Sequence, residues 1–202
     1  LTALRIIDQA ITSSFDMRFT LDIVLSQVIT QLQVDAAAIL LLDVTGQSFE
    51  YEAARGFRTP VLHSTRLGLT GSLAGRGATE QRSVPILDLK EVSDKLLPPI
   101  LAGENFASYY GVPLITKGKV QGVLELFHRM PLLPYPEWVD FLETLAGQAA
   151  IAIDNSTLFK NLQRSNFDLE HAYDATIEGW SHALDLRDRE TEGHTLRVTE
   201  MA

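Results

Sequence analysis

The 202-residue sequence contains no cysteine. That absence removes disulfides, thiolate metal sites, a cysteine nucleophile and any thioether-linked chromophore. It fits a reducing cytoplasm, the location expected for this chain. Long apolar runs are also missing. The longest, Ala36 to Leu42, is far short of the roughly 20 residues a bilayer span needs, and no signal peptide is visible. Basic blocks are absent, and the formal net charge is −9. Backbone phosphates would be repelled, which argues against nucleic acid as a partner. No proline follows Pro136. What is present is ordinary for a globular chain, with 46% hydrophobic and 21% charged residues, enough to bury a core. The start at Leu1 and the end at Ala202, inside a helical pattern, read as a fragment cut at both ends.

Leu4, Ile7, Ile11 and Ser14 recur at helical spacing, which predicts an amphipathic N-terminal helix within residues 1–18. A second helix is predicted from Leu21 to Leu32, with Thr20 as its N-cap. The pattern then changes. Ala36 to Leu42 and Ser48 to Ala54 read as two strands joined by a hairpin. Gly71 to Thr79 reads as a small helix, and Val84 to Leu87 as a short strand ending at Asp88. Leu96 to Gly103 is a loop or short helix, and Phe106 to Thr116 and Val120 to Arg129 are strands around the turn Lys117-Gly118-Lys119. This order predicts an α+β architecture, an antiparallel sheet with helices on one face.

From Pro136 onward the chain reads as helix almost to its end. Leu142, Leu145, Ala149, Ala152, Leu158, Leu162, Leu169, Tyr173, Ile177, Trp180 and Leu184 recur every three or four residues. About 50 residues of helix span roughly 75 Å, more than a small domain needs. Its seam needs a cover, and a second copy of the chain is the expected one. Asn155, Ser165 and Asn166 interrupt the seam, so pairing would be register-specific. A homodimer through the N- and C-terminal helices is the expectation, against the alternative of a helix packed wholly on its own domain.

Seven segments, in order, resemble a GAF domain, the small-molecule sensor fold related to PAS. They are Leu21-Asp-Ile-Val-Leu25, Ala36-Ala-Ala-Ile-Leu40, Gly68-Leu-Thr-Gly-Ser-Leu-Ala-Gly75, Val84-Pro-Ile-Leu-Asp88, Tyr110-Gly-Val-Pro-Leu-Ile115, Gly122-Val-Leu-Glu-Leu126 and the run from Phe141 to Ile153. The resemblance covers residues 19–154 and implies a GAF/PAS-like sheet followed by a long signalling helix. It also implies a small-molecule ligand, of unknown identity, in a pocket between the sheet and the crossing segment. Phe57, Leu73, Asp88, Tyr109 and Tyr110 would line that pocket; the alternative is that the aromatics are core and Asp88 caps a turn. A covalently attached bilin is excluded by the missing cysteine. Haem would need an axial ligand, and His63 and His128 are the domain's only histidines. The Asn-Lys-Phe-Asp-Glu motif of cyclic-GMP-binding GAF domains is absent.

After a connecting helix over 155–182, residues 183–202 resemble the opening of an HD-GYP domain, the metal-dependent phosphodiesterases that hydrolyse cyclic di-GMP. The matching residues are Ala183-Leu184, Arg187-Asp188, Thr191, Gly193-His194 and Arg197-Val198. Glu190 and His194, four residues apart, share a helix face, and a carboxylate with an imidazole suits iron, manganese or zinc. The resemblance gives His194 the family's metal-ligand position and Glu190 that of an additional glutamate ligand. The remaining ligands would lie past Ala202, so this stretch alone is expected to hold no cofactor and to be catalytically inert. A rival reading starts at Ser181-His182, a pair similar to that opening the dimerisation helix of histidine kinases. There an acidic residue follows the histidine; here Ala183 does. A ligand-free GAF dimerisation module is the third reading.

Overall fold

The computed structural model describes residues 17–59, 65–93, 96 and 98–200, apart from the side chains of 100, 102, 182–183 and 185–200. Helix α1 (Met17–Leu32) buries Leu21, Val24, Leu25, Val28 and Leu32, five positions at 3.6-residue spacing. Thr20 is a correction to the expected cap. It lies inside α1 and is buried, because the helix starts a turn earlier and Thr20 joins the face that packs. The N-terminal helix predicted from Leu4, Ile7, Ile11 and Ser14 falls outside the described residues.

Six strands form one antiparallel sheet: β1 (Ala36–Leu42), β2 (Ser48–Arg55), β3 (Arg66–Gly68), β4 (Val84–Ile86), β5 (Ser108–Thr116) and β6 (Lys119–His128), in the order β3-β2-β1-β6-β5-β4. β1 sits in the interior and is buried on both faces over its first five residues, which is why it reads as an unbroken apolar run. β5 and β6 are joined by a two-residue turn in which Lys117 and Gly118 both have positive φ, 53° and 75°. That is the hairpin geometry whose twist matches the flanking strands. β3, three residues long, was missed in the sequence because no alternation can register over so short a span.

Each face of the sheet carries its own core. On one face α1 packs with the first part of helix α3 (Pro136–Glu200), where Trp138, Leu142, Leu145, Ala146, Ala149 and Ile153 meet Ala37, Ile39, Leu124 and Leu126. The Trp138 indole N–H donates to the Leu32 carbonyl at 3.2 Å and ties the end of α1 to α3. The opposite face is covered by the short helix α2 (Leu73–Glu80) and a crossing segment with 3₁₀ turns at Leu89–Glu91 and Pro99–Glu104. The two long helices thus share a face, and the loops and small helix close the other. The chain divides into two compact units, Leu1–Thr157 and Leu158–Ala202. In the second, Leu158, Leu162, Leu169, Tyr173, Ile177 and Trp180 are each more than half exposed. Among the described residues no helix is long and apolar enough to cross a membrane.

Candidate functional site: the loop-covered face of the sheet

Alternation along β6 sends Val123, Glu125 and Phe127 to the loop-covered face and Leu124 and Leu126 to the helical one. Glu125 therefore enters an apolar layer, and it is 3% exposed. Across the ladders it faces Ala38 on β1 and Gly111 on β5, two of the smallest side chains available. The Tyr109 hydroxyl donates to Glu125 Oε1 at 3.0 Å, and the Tyr51 hydroxyl donates to Oε2 at 3.2 Å. Gly111 makes this possible: a Cβ there would run into the Tyr109 hydroxyl. Burial pushes the Glu125 carboxyl up to about 7, against the downward pull of the two hydroxyls. Burial and the adjacent carboxylate push both tyrosines up.

A second buried carboxylate, Glu104, closes the crossing segment. Its Oε1 accepts from the backbone N–H groups of Arg58 and Thr59, both at 2.7 Å, and its Oε2 accepts from Arg129 Nη2 at 2.8 Å. Arg129 also lies 3.4 Å from Asp35 through Nη1 and stacks its guanidinium 4.8 Å from the Phe106 ring centre. Burial raises the Glu104 carboxyl, but bonds from Thr59, Arg58 and Arg129 outweigh it and hold the group below the usual carboxylate range. His128 Nδ1 lies 2.7 Å from Asp35.

The residues predicted to line a pocket are divided by the sheet. Phe57, Leu73 and Tyr109 all stand on the loop-covered face. Phe57 and Tyr109 both pack on Phe127, with ring centres 5.5 Å and 5.3 Å apart. Tyr110 points the other way, into the helical core, and meets Trp138 at 5.3 Å. Asp88 is exposed; its carboxylate accepts from the Lys90 N–H at 2.9 Å and caps the 3₁₀ turn Leu89–Glu91. It borders an open cleft of about 780 Å³ with Pro85, Leu87, Lys90, Val92 and Pro131. Glu190 and His194 fall within α3, but their side chains lie outside the described ones, as does His63 altogether. Among the described residues, no group of three or more His, Asp or Glu is placed to hold a metal.

A family model for the GAF domain matches residues 16–154. The chain belongs to the GAF family. Solved structures agree on the fold. The GAF domain of an Acinetobacter phosphoenolpyruvate-protein phosphotransferase is 28% identical, with a TM-score of 0.70 over 78% of this chain and 93% of that one. A domain of a putative two-component sensor histidine kinase from Sinorhizobium meliloti is 20% identical, TM-score 0.61, over 74% of this chain and 99% of that one. A GAF domain/HD domain protein from Geobacter sulfurreducens is 17% identical, TM-score 0.61, over 74% of this chain and 97% of that one. No protein of curated function matches the sequence.

The residues missed in the sequence are those that make the GAF domain's polar interior: Tyr51, Glu104, Glu125 and Arg129. Only Glu125 left a trace, as one carboxylate inside the apolar strand Gly122-Val-Leu-Glu-Leu126. A strand buried on both faces has no solvated side on which to place it.

Proposed function

We propose that this GAF domain is the regulatory input of a signalling protein, and that α3 carries its state to an HD-GYP output beginning at Ala183. The observation that carries the reading is α3. One helix supplies Trp138 to Ile153 to the sensor core and runs on through the stretch that holds Glu190 and His194. The GAF domain/HD domain protein of Geobacter sulfurreducens supports the pairing of the two domain types. A carboxylate and an imidazole one helical turn apart fit a divalent metal such as iron or manganese, with the other donors supplied past Ala202. Such a metal, when bound, polarises a phosphodiester and supplies hydroxide near neutral pH. The chain's own contribution is to position the two ligands.

The exposed row from Leu158 to Trp180 supports a parallel homodimer, since apolar side chains repeating on one helix face bury themselves best against the same face of a second copy. Sedimentation as a monomer at tens of micromolar would remove that part. For the output, the protein extended past Ala202 is incubated with cyclic di-GMP and Mn²⁺. Linear dinucleotide or GMP is expected, and is lost in Glu190→Ala and His194→Ala. No turnover by folded, metal-loaded protein would overturn the phosphodiesterase reading and leave either a degenerate HD-GYP output or the kinase reading, between which phosphorylation at His182 decides.

A further inference from the structure

We propose that Glu125 is the anionic floor of the sensor's ligand site, and that the ligand is a small organic cation, an ammonium or guanidinium group on a short apolar body. This rests on the reading of the chain as a GAF sensor and names the chemistry of its ligand.

The argument starts from a contrast inside the molecule. Glu104 shows how this chain handles a buried carboxylate that is structural: two backbone N–H groups and an arginine converge on it. Glu125 is buried as deeply, and among the described residues no cation pairs with it. Its partners are two neutral hydroxyls. A carboxylate offers about four lone-pair directions, and two are used here. A group present only to tether Tyr51 and Tyr109 could be an amide, which satisfies both hydroxyls without burying a charge. The carboxylate is therefore the informative choice, because a buried anion without a partner is costly and a cation relieves that cost.

The surroundings fit the rest of such a ligand. Ala38 is small, and Gly111 cedes its space to the Tyr109 hydroxyl, so the two tyrosines are the groups that stand beside the carboxylate. Leu73, Ala74 and Leu101, from α2 and the crossing segment, and Phe127 supply apolar contacts on the same face. In so dry a layer the attraction between opposite charges is several times its value in water. Tyr51 and Tyr109 can keep donating to the carboxylate while their oxygens accept from the ligand's N–H groups. Burial raises the Glu125 carboxyl to about 7 and so favours its neutral form in the empty site, and a bound cation would pull that value back down.

The test uses the 202-residue chain at pH 8, where the carboxylate is ionised. n-Butylammonium and n-butylguanidinium are compared with the neutral 1-butanol and the anionic butyrate by saturation-transfer NMR and thermal melting. The cations are expected to bind and raise Tm, and the other two to do neither. Glu125→Gln is expected to weaken cation binding roughly 10- to 100-fold, the loss of one charge-assisted contact. Binding of butanol or butyrate as tight as that of the cations, undiminished cation binding in Glu125→Gln, or no cation binding at millimolar concentration would each overturn the proposal. Should Glu125→Gln not fold, the contrast between butylammonium and butanol on the unaltered chain decides alone. Failure here with cyclic di-GMP turnover intact removes the ligand class and leaves the output reading, and the reverse outcome does the opposite.

Discussion

The two faces of the sheet are built on different principles. The helical face is a dry layer in which α1 and α3 press aliphatic side chains and Trp138 onto Ala37, Ile39, Leu124 and Leu126. The loop-covered face contains a comparable apolar layer, yet the two carboxylates buried most deeply among the described residues, Glu104 and Glu125, belong to this side of the sheet. The difference lies in what covers each face. A helix satisfies its own backbone and can offer apolar stripes. Loops leave N–H groups open, and Glu104 of the crossing segment serves two of them, on Arg58 and Thr59 just after β2. The helical face is therefore expected to supply stability that depends little on pH, and the loop-covered face stability that titrates.

The largest expected effect comes from breaking the loop-covered face at its clamp. Glu104→Ala leaves the N–H groups of Arg58 and Thr59 and the Arg129 guanidinium without their acceptor. A loss of about 3–5 kcal/mol in chemical denaturation is expected. Because the Glu104 carboxyl is held below its ordinary value in the folded state, its contribution is present above about pH 4.5. It fades as pH falls through the lowered value, so the penalty of Glu104→Ala should shrink in acid. A penalty equal at pH 4 and pH 7 would show that the clamp works by packing alone.

The helical face should answer differently. Leu142, fully buried, is expected to cost about 2–5 kcal/mol as Leu142→Ala, through lost transfer energy and the cavity left behind. That penalty should be the same at pH 5 and pH 8. A clear pH dependence would break the contrast between the faces.

The third expectation reverses the usual sign. Glu125 is raised from about 4.5 to about 7, so it favours folding below its unfolded value and loses that contribution as pH rises through 7. Without ligand, Glu125→Gln should therefore gain on the unaltered chain between pH 5 and pH 8. The gain should be about 2–3 kcal/mol, from a shift of that size at roughly 1.4 kcal/mol per unit. A Glu125→Gln chain that loses stability at pH 8 would show that the carboxylate is satisfied where it lies.

Much of this was legible in advance, for identifiable reasons. β1 could be read from Ala36 to Leu42 because an interior strand buried on both faces must be apolar throughout. α1 and α3 could be read because a helix that packs on one side repeats every three or four residues. Thr20 was misplaced because a threonine before a helical run satisfies the rule for a cap equally well when the helix starts earlier.

Side-chain partnerships were not legible. Tyr109 and Tyr110 are adjacent in the chain and chemically alike, yet strand alternation sends one to Glu125 and the other to Trp138. Glu104 and Arg129 stand 25 residues apart and Tyr51 and Glu125 stand 74 apart, with no periodicity to link either pair. The sequence by itself determined the layered α+β fold, its GAF membership and the long helix, because these follow from local periodicity and short ordered motifs. Tertiary structure alone decided which carboxylates are buried, which are paired and which face each side chain joins, because those outcomes depend on sheet register, and register is set by contacts between distant strands.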